Sequence, residues 1–343
     1  MRFSLKHIIL ILMAAALSAC SLVDEDLRDC ETDYHLNYQL RLVTNMKAEL
    51  QTQLSMETEV SIANAIRAYL SDIFTDYAKD VDLGFYDVYE DSTRLHHESH
   101  IMDANQSSYT LYIPVRKYMH LAMANVAQDD LISVEKSDRC HTLRLSQQVQ
   151  DTIPSHKSGI FTARLPMDIK EGIDQQFDVH LYMANCATAL VVDTLGSGIR
   201  DLKVYMSGFA TGFSLCDSLY HFDYTPMVRA DRITPDAPGT ICYGSVTFPS
   251  RTASDTKVII DTDDPGVGEG ANYALWQIKV YAEMKDGTIT ETILGVSYPV
   301  GPGNFKLIKA RAYTNGSVKP GDPSIGVSVT TDWEPATEHE VIL

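Results

Sequence analysis

The run LWQIKVYAEMKDGTITETILGV, Leu275 to Val296, has two alternating arms around a central Asp286-Gly287. In the first arm Trp276, Ile278, Val280, Ala282 and Met284 fall on one face. Period two with one apolar face is the signature of a half-buried strand. Asp and Gly are the residues that accept positive φ in a tight turn, so the run predicts a β-hairpin. Outward from it the pattern stays β, with strands expected at 177–192, 202–209, 241–248, 257–260, 304–313 and 327–333. Many short strands with Gly and Pro at the joints argue a β-sandwich. Two long loops separate them, 217–239 and 261–272.

The first half opens on another alternating run. Tyr34, Leu36, Tyr38, Leu40 and Leu42 are interleaved with His35, Asn37, Gln39 and Arg41. Val60, Ala63, Ile66, Leu70, Ile73 and Tyr77 then recur at three- and four-residue spacing, which predicts an amphipathic helix of about five turns lying on a sheet. Further strands are expected at 81–88, 109–115, 118–126 and 160–165, with Pro114 at a strand end, where a missing amide does least harm. The polar run Pro166–Gln176 reads as a linker. The expected fold is therefore mainly β, as two β-sandwich domains in series, 34–166 with one long helix and 177–343, joined by 167–176.

The N-terminus carries the address. Arg2 and Lys6 precede the apolar run Ile8–Leu17, which falls short of the roughly 20 residues that span a bilayer. It fits the core of a secretory signal, residues 1–19. Leu17-Ser18-Ala19-Cys20 matches the bacterial lipobox, so Cys20 is the expected lipid attachment site; an ordinary cleaved signal is the alternative. Stable anchoring by acyl chains takes more than one of them. Residues 20–33 form an acidic tether, and Asp24, Glu25 and Asp26 resemble the signal that sends Bacteroidetes lipoproteins to the outer face of the outer membrane. The alternative reading of this short run is a solvated spacer.

A net charge of −18, from 46 acidic against 28 basic residues, excludes nucleic acid and anionic headgroups as main partners. Of six cysteines, Cys20 is assigned to lipid, leaving an odd number in an exported chain. At least one therefore stays free or pairs between chains. If an internal bridge forms, Cys216–Cys242 is the expected pair, and Cys186, inside an apolar run, is expected to be a buried thiol.

No catalytic constellation stands out, and the chain is not expected to be an enzyme or to need a cofactor. His96, His97, Glu98 and His100 are the densest ligand group, but H-H-E-S-H misses the metalloprotease spacing by one residue. They are expected in a polar loop, without metal. Asp261, Asp263, Asp264 and Glu269 lack the EF-hand spacing, leaving weak calcium binding at 261–269 an open alternative to an acidic turn. Gly196-Ser197-Gly198 reads as a turn and not a nucleophile elbow. Trp276 belongs on the apolar face of its strand, while Trp333 is a second aromatic able to stack on sugar.

Several stretches together resemble the fimbrial anchor (FimB-type) family, the cell-bound accessory subunits of Bacteroidetes type V pili. They are the mature start from Cys20 to Cys30, the run Tyr109–Asn125 with its proline turn, Ala184–Val192 followed by Leu202–Gly208, and the closing runs Leu294–Val300, Val329–Trp333 and Glu340–Leu343. The chain departs from the family in having Arg116-Lys117 before Tyr118, and in continuing Phe85-Tyr86-Asp87 without an Asp-Gly turn. The resemblance implies two transthyretin-like sandwiches in series, a surface location on the outer membrane, and fimbrial subunits as partners. It also leaves room for a host protein or glycan. Such subunits join when one chain's strand completes a neighbour's open sheet edge. With the sequence ending at Leu343, soon after the last expected strand, an end-piece is the expected role, as anchor, tip or other accessory. The competing expectation is a surface glycan-binding lipoprotein, using Tyr220, Phe222 and Tyr224 with Tyr243 as an exposed aromatic platform.

Overall fold

A computed structural model describes residues 33–43, 46–54, 60–74, 78–87, 95–100, 108–127, 129–137, 140–146, 152–171, 175–252 and 274–331. The chain is mainly β, as expected, with strands numbered along the sequence. A seven-stranded sheet runs in the order β3 (Leu95–His100), β2 (Val81–Asp87), β5 (Lys117–Ala124), β9 (Phe161–Asp168), β10 (Gln175–Met183), β1 (Asp33–Val43) and β4 (Ser108–Pro114). Its pairs are antiparallel except β1 with β10, where Leu36 faces Gln175 and Val43 faces Tyr182. A five-stranded sheet is ordered β16 (Asp231–Ile233), β17 (Thr240–Thr247), β11 (Cys186–Asp193), β20 (Phe305–Ala312) and β21 (Val318–Pro320). A six-stranded sheet holds β22 (Gly326–Thr331), β19 (Ile289–Val296), β18 (Trp276–Met284), β12 (Ile199–Ser207), β15 (Met227–Arg229) and β8 (Thr152–Pro154). The last, four-stranded, is β14 (Leu219–His221), β13 (Gly212–Ser214), β7 (His141–Leu145) and β6 (Ile132–Lys136). Helices α1 (Met46–Leu54) and α2 (Val60–Ile73) complete the described elements.

The 275–296 run forms the hairpin it predicts. β18 and β19 pair from Trp276↔Val296 to Glu283↔Ile289, and Gly287 takes φ 89° at the turn. The Asp286 carboxylate accepts from Thr288 N–H at 2.9 Å, which fixes the turn locally. Trp276, Ile278, Val280 and Ala282 then meet Leu190, Val192, Ile308 and Ala310 in a sandwich core between the six- and five-stranded sheets.

The opposite face of the five-stranded sheet receives α2. Ile62, Ala63, Ile66 and Leu70 of α2 pack in one core with Leu83 and Phe85 of β2, Ala122 of β5, and Ala187 and Ala189 of β11. β11 is buried on both faces, with small alanines turned toward the helix and Leu190 and Val192 toward the sandwich. Gly244 of β17 allows the same close approach: a Cβ there would lie 2.4 Å from a ring carbon of Tyr69. The Tyr69 hydroxyl donates to Asp231 at 2.9 Å, tying α2 to β16. A further core joins the far face of the seven-stranded sheet, through Leu121 and Met123, to Leu143, Leu145 and Phe213 of the four-stranded sheet.

The expected boundaries change accordingly. Residues 177–192, expected as one strand, divide into β10 and β11, which enter different sheets. The expected linker 167–176 connects two strands of one sheet: Met167 and Asp168 pair with Tyr118 and Lys117 in β5, and Gln175 opens β10 beside β1. The halves also interleave, because β8 pairs with β15 and β13 pairs with β7. The 217–239 stretch, expected as a loop, holds β14, β15 and β16. Each has three residues, too few for a period to show. Tyr77, the expected last turn of the helix, lies outside the described residues, as does the strand expected at 257–260.

Candidate functional site

Cys20, the acidic residues Asp24, Glu25 and Asp26, the acidic loop Asp261, Asp263, Asp264 and Glu269, and Trp333 all lie outside the described residues. No described helix is long and apolar enough to cross a membrane. The histidine cluster, expected in a loop, is instead the edge strand β3, where His100 faces Val81 and His96 faces Phe85 across the ladder. An extended chain separates residues four apart by roughly 13 Å, so the helical spacing that would set His96 and His100 one turn apart does not arise. Gly196 and Gly198 take φ 75° and 77°, and the Ser197 hydroxyl donates to Thr194 O at 2.7 Å, so this serine holds a turn.

The expected Cys216–Cys242 bridge is replaced by Cys140–Cys216, with Cα atoms 5.5 Å apart. Cys242 lies on β17 in the core beneath α2, and Cys186 in the sandwich core; both are buried and neither joins a disulfide. Burial pushes the Cys186 thiol up to about 12, the reverse of what a nucleophile or metal ligand requires.

The aromatic platform does not form. Tyr220, Phe222 and Tyr224 pack against the core under the four-stranded sheet. The Tyr220 hydroxyl donates to Ala184 O at 2.8 Å, and the Arg251 guanidinium sits 4.6 Å from the Phe222 ring centre. Tyr243 is buried in the sandwich core, donating to Leu202 O. Trp276, also in that core, is 1% exposed.

Two buried histidines, His120 and His156, are displaced toward the acid side of their ordinary range. His120 is fully buried on β5, its ring stacked 4.3 Å from that of Phe85, and Nδ1–H donates to Gly84 O at 3.0 Å. Burial lowers its pKa from 6.5 to about 4, and burial lowers that of His156 in the same direction against the pull of Asp129. A neutral buried histidine takes up a proton more readily when unfolded. Its contribution to stability is therefore complete above about pH 6.5 and drains away as pH falls toward about 4. Unfolding free energy is expected to drop on the order of 3 kcal/mol across that window from His120 alone. Urea titrations of wild type and His120→Gln at pH 7 and pH 4.5 check it: the variant should lose less on acidification, and equal losses would show that His120 is not responsible.

Two grooves among the described residues are roomy enough to receive another molecule. The first opens where β9 and β10 part after pairing only at Phe161–Met183 and Thr162–Tyr182. It has about 460 Å³ and is walled by Arg164, Asp178, His180 and Tyr182 on the sheet and by Phe213 and Tyr220 on the β13–β14 hairpin. The second, about 590 Å³, follows the outer edge of β20 beside Gln53 of α1. Sequence reading missed both, since each depends on which strand lacks a neighbour. No cluster of three or more His, Cys, Asp or Glu that could hold a metal occurs among the described residues. What these grooves offer is strand edges and apolar walls, the elements of protein recognition.

No protein-family model matches the chain, and no curated protein does. Solved structures do. The fold is similar to that of a candidate adhesin from Bacteroides ovatus, 9% identical, covering 92% of this chain and 98% of that one, TM-score 0.51. A candidate adhesin from Bacteroides thetaiotaomicron is 10% identical, with 85% of this chain and 97% of that one covered, TM-score 0.50. A looser likeness, TM-score 0.48, links 88% of this chain to 99% of the fimbrial anchor protein Mfa2 from Porphyromonas gingivalis, at 11% identity. The chain thus has the multi-sheet β fold of the two Bacteroides proteins, matched over nearly the whole length of each.

Proposed function

We propose that this protein is a cell-surface lipoprotein of the outer membrane, acting in adhesion as an anchor or accessory subunit of a type V-like fimbria. It is joined to fimbrial subunits by strand complementation and carries out no catalysis. The observation that carries this reading is the end-to-end likeness of fold to a candidate adhesin, 98% of whose chain is matched. The Cys140–Cys216 bridge supports it, because such bonds belong to exported proteins in oxidising surroundings. The lipobox at Cys20 and the resemblance of Asp24, Glu25 and Asp26 to a surface-export signal supply the tether and its direction. The sandwich of five- and six-stranded sheets suits a transthyretin-like second half. The first half differs in borrowing β13 and β14 for its outer layer.

An immunoblot of intact cells, unboiled against boiled, tests the reading. Strand-exchanged complexes should survive detergent until heated, so a ladder that collapses to one band and contains a fimbrial subunit by mass spectrometry is expected. One band under both conditions would overturn it. In the same cells Cys20→Ala should move the protein out of the membrane fraction; unchanged fractionation would remove the lipid tether from the proposal.

A further inference from the structure

The five-stranded sheet is incomplete along one side. β21 pairs with β20 only from Ala310 to Ala312, and Gly321 N–H donates to Lys309 O at 3.0 Å, so among the described residues no strand lies outside Phe305–Ile308. A side chain stands there instead. The Gln53 amide of α1 donates from Nε2 to the Phe305 carbonyl and accepts at Oε1 from Leu307 N–H at 2.9 Å. In a parallel ladder the residue opposite position i bonds the carbonyl of i−1 and the amide of i+1. Gln53 therefore makes the two bonds that a strand residue facing Lys306 would make. Of the described side chains of α1, those of Ala48, Gln51 and Thr52 are exposed, and Glu49 and Gln53 are half-buried. No described side chain of α1 belongs to any of the cores.

We propose that the Phe305–Ile308 edge of β20 docks an extended strand from a partner subunit, running parallel to β20, and that α1 is the cover this strand displaces. The inference rests on the strand-complementation reading and names the edge involved. The chemistry fixes the occupant as a polypeptide backbone, since the groups capped by Gln53 alternate acceptor and donor at strand spacing. The side chains fix its character. Lys306 and Lys309 line the groove with one carboxylate, Asp322, beside them, in a chain of net charge −18, and Lys306 Nζ lies 4.2 Å from the Tyr298 ring centre. Ile308 and Ile325 form the apolar wall. The incoming strand is apolar at alternate positions and acidic near the lysines.

The test uses the purified chain and a fluorescein-labelled octapeptide of alternating Val and Thr with one central Glu, read by anisotropy. Gln53→Ala removes the competing amide and should tighten peptide binding about tenfold. Adding Leu307→Pro to Gln53→Ala deletes the outward donor while leaving an edge strand that tolerates proline, and should abolish binding. If the proline variant does not fold, hydrogen exchange on Gln53→Ala takes its place, where the Leu307 amide should become protected when peptide is added. Equal affinity of wild type and Gln53→Ala, or absence of binding to both, would overturn the proposal. So would a peptide-free dimer of Gln53→Ala in light scattering, which gives the edge to a second copy. A heat-labile ladder that persists in cells carrying Leu307→Pro would overturn this edge and leave the fimbrial reading standing. Peptide binding without any ladder in wild-type cells would overturn the fimbrial reading instead.

Discussion

Replacing Cys140 and Cys216 together by serine is expected to cost about 4 kcal/mol of unfolding free energy, the chain-entropy value for a loop of this size. The two cysteines are 76 residues apart in sequence, so the bridge removes a large share of the open chain's freedom. Its position magnifies the consequence. Cys140 precedes β7 and Cys216 follows β13, adjacent strands of the four-stranded sheet that come from different halves of the chain. β13 itself pairs over only three residues, Gly212 to Ser214, too short a ladder to hold the halves together unaided. Urea denaturation gives the check: wild type in strong reductant should match the Cys140→Ser/Cys216→Ser protein, and both should unfold well before oxidised wild type. A difference under about 1 kcal/mol would mean that packing around Phe213 and Leu143, and not the bridge, holds this sheet. Peptide mapping of the oxidised protein should find Cys242 outside any disulfide, in keeping with its burial beneath α2.

Trp276→Ala is expected to cost about 3–5 kcal/mol, the usual range for emptying a large aromatic from a packed core. The indole packs in the sandwich core, tilted against Phe209 at 5.5 Å between ring centres. Its Nε1–H donates to Tyr298 O at 2.9 Å. The strand beside it has no room to close the gap: a Cβ on Gly208, which takes φ 95°, would lie 2.7 Å from Trp276 Cα. Trp276→Phe should recover much of the apolar contact and leave the Tyr298 carbonyl without its donor, an intermediate loss. Chemical denaturation of the pair separates these contributions. A Trp276→Ala protein as stable as wild type would show that the core refills, or that the residue is not in it.

The periodic elements are legible in the residue pattern alone. The 275–296 hairpin, the strand from Tyr34 and the helix from Val60 lie where alternation or helical spacing puts them. Trp276 is likewise the core residue its strand face implies. The elements that escape such reading are short or unpatterned. α1 has no clear apolar face in MKAELQTQL, and β13 to β16 are three residues each. β10 and β11 read as one strand because no Gly or Pro separates the alternating run Phe177–Met183 from the continuously apolar run Cys186–Val192. The break falls at Asn185, whose side chain donates to Ser158 O at 2.8 Å and accepts from Ile160 N–H at 3.2 Å. Those partners lie about 25 residues earlier, where no local pattern can announce them.

By itself the sequence determined the local conformations and the sign of the surface: alternation selects a strand and its buried face, Asp286-Gly287 selects a turn, and the excess of carboxylates selects against polyanions. Tertiary structure alone decided which strands are neighbours, which cysteine meets Cys216, and which edge is left with a glutamine in place of a strand. The reason is physical. Side-chain period specifies the face a strand buries, whereas sheet partners are joined by backbone N–H and C=O groups that every residue carries alike. Only the folded arrangement shows that Phe305 and Leu307 have their outward groups taken by Gln53.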